Sequence, residues 1–124
     1  MIIKPKPANQ YGKIAEEFAA NYLIRQGLKL IARNFHCRFG EIDLIGLEQD
    51  TLIFTEVRYR KNEKHLAVVE TIDQRKCRKL IITSKYFLNK HRTYQSHQCR
   101  FDVIAITGDI NKPVIEWIKN AFQA

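Results

Sequence analysis

Two apolar segments joined by a short polar link constrain this chain more than any other feature. Residues 41–46 and 51–60 are rich in Ile, Leu, Phe and Val, and Glu48-Gln49-Asp50 between them is turn-like, so they predict two strands paired as a hairpin. Both carry acids where the pattern expects core residues. Alternation puts Glu41 and Asp43 on one face of the first strand, and Glu56, Arg58 and Arg60 on one face of the second. With the turn at Glu48 and Gln49, Asp43 falls nearly opposite Thr55 or Glu56, and the two carboxylates converge on one point.

Like charges that close repel and are costly to desolvate, and a hard divalent cation held by carboxylate oxygen resolves both problems. Mg²⁺ or Mn²⁺ fits best. Arg58 beside them could neutralise charge developing on a phosphodiester while the metal polarises the phosphoryl oxygen. The same spacing is also that of cross-strand ion pairs among Asp43, Glu56, Arg58 and Arg60 on a solvated sheet face.

The rest of the chain predicts consecutive elements of one unit. Ile14, Phe18, Ala19, Tyr22 and Leu23 recur at helical spacing over roughly residues 9–26, with Asn9 as a cap and Gly27 as a stop. A strand is expected over 28–35, and residues 62–69, which lack a period, are expected as a mobile loop. Ile72, Cys77, Leu80, Ile81, Ser84, Phe87 and Leu88 then fit a second helix with its basic positions outward. Residues 101–107 form a strongly apolar strand, and 113–118 are either a short strand or a helix start. The element order is α-β-β-β-α-β-β, an α/β class. At 124 residues the chain suits a single domain, 1–124.

Apolar stretches are far too short for a membrane span, and the first ten residues lack the apolar core of a signal peptide, so a cytoplasmic protein without a membrane partner is expected. Three cysteines without a CxxC, Cys37, Cys77 and Cys99, predict reduced thiols. His36-Cys37 and His97-x-Cys99 hold the donors of a zinc site, but their spacing differs from zinc motifs and core or surface roles are preferred. No glycine pattern cradles a nucleotide triphosphate.

Positive charge is concentrated. Residues 1–57 carry seven Lys/Arg and seven Asp/Glu, whereas residues 58–100 carry twelve Lys/Arg against Glu63, Glu70 and Asp73. Arg60, Lys61, Arg75, Lys76, Arg78 and Lys79 lie in this block with Tyr59, Tyr86 and Tyr94, a mixture suited to following a phosphate backbone and stacking on exposed bases. A solvated basic surface that maintains solubility is the other reading.

The strings G-x-x-A-E at Gly12 to Glu16, R-N-F at Arg33 to Phe35, G-E-I-D-L-I at Gly40 to Ile45, F-T-E-V-R-Y-R at Phe54 to Arg60, R-F-D-V-I-A-I at Arg100 to Ile106 and I-K-N-A-F at Ile118 to Phe122 closely resemble the YraN-like family of small bacterial proteins. The resemblance covers nearly the whole chain in the right order. It implies a restriction-endonuclease-like, or PD-(D/E)xK, fold with a mixed sheet flanked by helices, similar to archaeal Holliday-junction resolvases. By that resemblance Asp43 and Glu56 are metal ligands and Arg58 occupies the lysine position. Glu16 resembles the helix-borne acid that completes the resolvase metal site, its neighbour Glu17 being a solvated charge. Lys76 resembles a lysine the family carries in the second helix and is assigned to phosphate.

Arginine at 58 departs from the superfamily pattern. It stays protonated and presents a fixed planar fork, so it cannot act as a general base, though it can stabilise charge or grip phosphate. The leading expectation is a Mg²⁺- or Mn²⁺-dependent endonuclease acting on DNA, branched or junction DNA included. The second is a non-catalytic nucleic-acid-binding module on a nuclease fold, a subunit of a repair or uptake complex, and the third a scaffold that docks an acidic protein. Symmetric junction cleavage would need a homodimer, for which no heptad or clear apolar patch speaks.

Overall fold

The computed structural model describes residues 11–62 and 64–124. The first helix, α1, spans Gly12–Arg25 and buries Ala15, Ala19, Ala20 and Leu23, a stripe of small and apolar side chains at helical spacing. It stops where expected. Gly27 takes φ +101°, a left-handed conformation that glycine adopts without penalty. Asn9, the expected cap, lies outside the described residues.

Three strands follow: β1 at Lys29–Cys37, β2 at Gly40–Glu48 and β3 at Thr51–Arg60. The β2–β3 hairpin forms with Glu48 opposite Thr51. Gln49, at φ +54°, supplies the positive φ that suits a tight two-residue turn to the strand twist. After β3 the expected mobile loop over 62–69 is corrected to a short helix, α2, at His65–Glu70. Six residues are too few to display a period. What secures them is tertiary contact with β3 and the strand beside it, with Val68 fully buried. Glu63 of that stretch is outside the described residues.

Helix α3 spans Gln74–Lys90, and the Asp73 side chain caps it by accepting the Lys76 backbone N–H at 2.9 Å. Strand β4 covers Gln98–Thr107. The choice left open at 113–118 resolves as a strand, β5, at Val114–Phe122.

The sheet order is β1-β2-β3-β4-β5. Every neighbouring pair is antiparallel except β3 and β4, which run parallel, with Thr55 beside Asp102 and Glu56 beside Val103. Parallel neighbours need a crossover, and α2 and α3 provide it. The result is the expected α/β mixed sheet flanked by helices. Between α1 and the sheet lie Leu23, Leu44, Ile53, Val57 and Ile104, and between α3 and the other face lie Ile42, Ile45, Phe54, Leu80 and Phe87.

Candidate active site

Strict alternation fails in β2 at Asp43. Ile42 and Ile45 both pack on the α3 face, whereas Leu44 packs on the α1 face. Across from this break, Asn34 in β1 adopts φ +52°. The β2–β3 pairing runs from Glu48 opposite Thr51 to Leu44 opposite Thr55. Just past its end, the Asp43 carboxylate reaches into β3, and the Val57 backbone N–H donates to its Oδ2 at 2.8 Å. An ionised acceptor makes this one of the stronger hydrogen bonds available to a buried amide. Asp43 is only 1% exposed.

Glu56, the residue before Val57, is 2% exposed. Arg58, two residues along on the same face, places Nε 3.1 Å from Glu56 Oε2, an ion pair without hydrogen-bond alignment. Lys76 reaches across from α3 to put Nζ 3.7 Å from the same oxygen. The structure thus anchors the Asp43 carboxylate of β2 on the Val57 N–H of β3, one residue after Glu56, which two cations face. The wet sheet face of the alternative sequence reading is absent at this point, because both carboxylates are buried.

The remaining assigned residues sort by position. Glu16 is half-buried on α1 and lines a cleft of about 460 Å³ with Lys13, Glu17, Arg33, Asn34 and Leu44. Asn34 and Leu44 flank the Asp43 break, so the cleft that Glu16 lines opens beside it on the α1 side. Among the described residues, no three His, Cys, Asp or Glu side chains gather as a metal-holding group. Glu17, expected to be a solvated charge, remains exposed but pairs with Arg33 at 2.8 Å.

Within the basic block, Lys61, Arg75, Arg78 and Lys79 are exposed. Arg60 folds back to donate from Nη1 to its own neighbour's carbonyl, Tyr59 O, at 2.7 Å. Lys76 departs from the rule that the basic positions of α3 face outward, since it turns toward Glu56. Arg100, counted within the basic block, has an internal role: its Nε and Nη2 donate to Asp102 at 2.8 Å, and Nη2 donates to Glu48 at 3.0 Å.

Asp102 was missed by the sequence reading. Fully buried, it also accepts from Trp117 Nε1 and from the Asn120 backbone N–H, each at 2.8 Å. Asn120 holds φ +54°, and the β4–β5 register shifts between Phe101 and Val103. The carboxylate therefore fastens a bulge of β5. Its signal was available, since an acid within an apolar strand is what singled out Asp43. Glu48 closes the network by accepting from Lys119 at 2.8 Å. Burial would raise the Glu48 pKa, but hydrogen bonds from Lys119 and Arg100 outweigh it and hold the carboxyl below its ordinary value. Hydrogen bonding to Asp102 in turn raises the Arg100 pKa.

The stretch from α1 to β4 that builds this arrangement is also the stretch recognised by comparison with known proteins. A model of the uncharacterised protein family UPF0102 matches residues 15–106. The chain belongs to this family. UPF0102 is the YraN-like group whose strings the sequence resembles, and the matched range contains Glu16, Asp43, Glu56, Arg58 and Lys76. A UPF0102 protein of Alcanivorax borkumensis is 47% identical over 91% of each chain. One from Psychromonas ingrahamii is 50% identical over 94% of this chain and 92% of its own. Among solved structures, a repair endonuclease from Pyrococcus abyssi aligns with TM-score 0.42 and 18% identity over 86% of this chain, which spans only 42% of that protein. No helix among the described residues of this UPF0102 chain is long and apolar enough to cross a membrane.

Proposed function

We propose that this UPF0102 protein is a divalent-metal-dependent DNA endonuclease of the restriction-endonuclease-like type, with Asp43 and Glu56 as its acidic pair. The observation that carries the reading is the burial of both carboxylates, Asp43 held on the Val57 backbone N–H and Glu56 one residue before it, with Arg58 and Lys76 against Glu56. A fold gains little from burying two acids, and such placements are characteristic of sites that do chemistry.

The donor set fits Mg²⁺ or Mn²⁺. These ions are hard, prefer carboxylate oxygen, and are commonly held by one or two carboxylates with water and substrate phosphate supplying the rest. Asp43 and Glu56 would hold the ion, with Glu16 assisting from the cleft on the α1 side. The metal, when bound, supplies Lewis acidity to phosphodiester hydrolysis.

The protein's own groups do the remainder. The Val57 N–H fixes the Asp43 carboxylate in orientation. Arg58, always charged, stabilises negative charge that builds on the phosphoryl oxygens. Lys76 brings to Glu56 the ammonium that β3 lacks where the superfamily pattern has lysine. Lys61, Arg75, Arg78 and Lys79 hold the phosphate backbone on either side. This chemistry operates on DNA in the cytoplasm.

A second reading, a non-catalytic nucleic-acid-binding module on the same fold, is favoured by one observation: the cations Arg58 and Lys76 already compensate Glu56. Isothermal titration of Mn²⁺ into the wild type, Asp43→Ala and Glu56→Ala, with a cleavage assay on branched DNA, decides between them. The endonuclease reading expects stoichiometric binding and cleavage in the wild type, with both lost in each variant. Salt-sensitive DNA binding with no metal-dependent product on any substrate selects the second reading.

A further inference from the structure

A cluster of aromatic faces and cations lies where the β1–β2 turn meets α3, away from the carboxylate pair. Cys37 pairs with Gly40 at the end of the β1–β2 ladder, so Arg38 and Phe39 form a two-residue tip. Gly40 lets the tip press against the helix. A Cβ there would stand 3.0 Å from Thr83 Oγ1 and 3.8 Å from Lys79 Cβ, and its φ of +152° also disfavours other residues.

This contact places the Phe39 ring edge-on to Tyr86 of α3, with centroids 6.1 Å apart. The Arg38 guanidinium lies 4.7 Å from the Phe39 centroid, and Lys90 Nζ lies 5.5 Å from that of Tyr86. Tyr86 also leans on Phe35, at 6.3 Å, which packs in turn on the buried Phe87 at 5.1 Å. The outer rings are therefore backed by the core, yet Phe39 remains 39% exposed. At helical spacing, Arg75, Lys79, Tyr86 and Lys90 share one stripe of α3 about 22 Å long. Cations thus flank aromatic faces along a single line.

Duplex DNA offers such a line its phosphates but keeps its bases stacked inside. An unpaired strand offers both, and base-on-aromatic stacking is the interaction that distinguishes the two. We propose that this stripe is a docking track for an unpaired DNA strand, with Phe39 and Tyr86 receiving bases and Arg38, Lys79 and Lys90 receiving phosphates. The inference rests on the nucleic-acid part of the function proposed above and deepens it. Gly40 and Asp43 are three residues apart on β2, about 10 Å along a strand. A strand held on the track therefore passes close to the acidic pair, which selects DNA with an unpaired arm next to the scissile bond.

The test is fluorescence anisotropy of a labelled oligothymidylate and a labelled duplex hairpin, titrated with wild type, Phe39→Ala and Phe39→Trp, alongside thermal unfolding of each. Phe39 is chosen over Tyr86 because its exposure makes the substitution tolerable. Phe39→Ala is expected to weaken single-strand binding about ten-fold or more while duplex binding stays within about two-fold, with Phe39→Trp restoring the preference. Equal losses on both probes, no loss on the single strand, or no single-strand binding by the wild type overturns the track. Cleavage of branched DNA by the wild type is scored separately. Phe39-dependent strand selectivity without cleavage leaves the track standing and removes the nuclease, and cleavage without that selectivity does the reverse.

Discussion

The backbone amide of Val57 donates to the carboxylate of Asp43 at 2.8 Å, so a side chain of β2 satisfies the main chain of β3 where their pairing has ended. This gives Asp43 a structural role beside the metal-binding one proposed for it, and the two separate by substitution. Asp43→Ala leaves the Val57 N–H buried without that acceptor and is expected to destabilise the fold by about 1–3 kcal/mol. Asp43→Asn keeps an oxygen acceptor but not the charge. It should retain most of the stability in urea unfolding while losing metal-dependent cleavage, and an active Asp43→Asn protein would remove Asp43 from the metal site.

Lys76 and Lys79 are three residues apart on α3 and should behave differently. Lys79→Ala removes an outward cation, so the slope of log affinity against log salt should fall by about 1 with turnover of bound DNA retained. Lys76→Met should leave that slope nearly unchanged and lose turnover, because its ammonium faces Glu56 at 3.7 Å. Parallel binding titrations at several salt concentrations, with single-turnover cleavage, check both. A Lys76→Met protein with the binding defect and full turnover would return Lys76 to the phosphate-contact class.

Asp102 is a purely structural carboxylate on this account. Removing it in Asp102→Ala takes the acceptor from the Trp117 indole N–H and leaves the Arg100 guanidinium to Glu48, and breaking a buried ion pair from one side typically costs about 3–5 kcal/mol. Denaturant unfolding monitored by Trp117 fluorescence measures the loss directly. DNA affinity at a temperature where the variant is folded should be unchanged. A large affinity loss would show that Arg100 reaches phosphate after all.

Glu48 gives the protein a defined acid limb. Its folded-state pKa lies below the ordinary 4.5 because hydrogen bonds from Lys119 and Arg100 outweigh the effect of burial. A depressed carboxylate contributes stability that is complete above the unfolded pKa and is lost as pH falls through the folded one. The stability difference between wild type and Glu48→Gln should therefore be constant above about pH 5 and shrink below it. A difference that grows on acidification would contradict the sign of the shift.

How far the sequence went is visible in these residues. The hairpin was legible because it follows from spacing within a short stretch. The break of alternation at Asp43 was not, since a period of two carries no sign of its own interruption. Lys76 was singled out by resemblance but assigned to phosphate. Its inward turn depends on how α3 lies across β3, a tertiary relationship with no local signature. Arg100 and Asp102 stand two apart in one strand, hence on one face, and could have been paired from sequence. Arg100 was instead counted only within the charge of the basic block. In 62–69 a turn and a half of helix was too brief for periodicity to register.

The single parallel pairing in the sheet also orders the assembly of the site in time. A hairpin such as β2–β3 closes over a two-residue turn and can form on the microsecond scale, whereas β3 and β4 can meet only after α2 and α3 have crossed over. The strands that carry the two acids thus pair through a local contact, and the ammonium that faces Glu56 arrives with the later crossover.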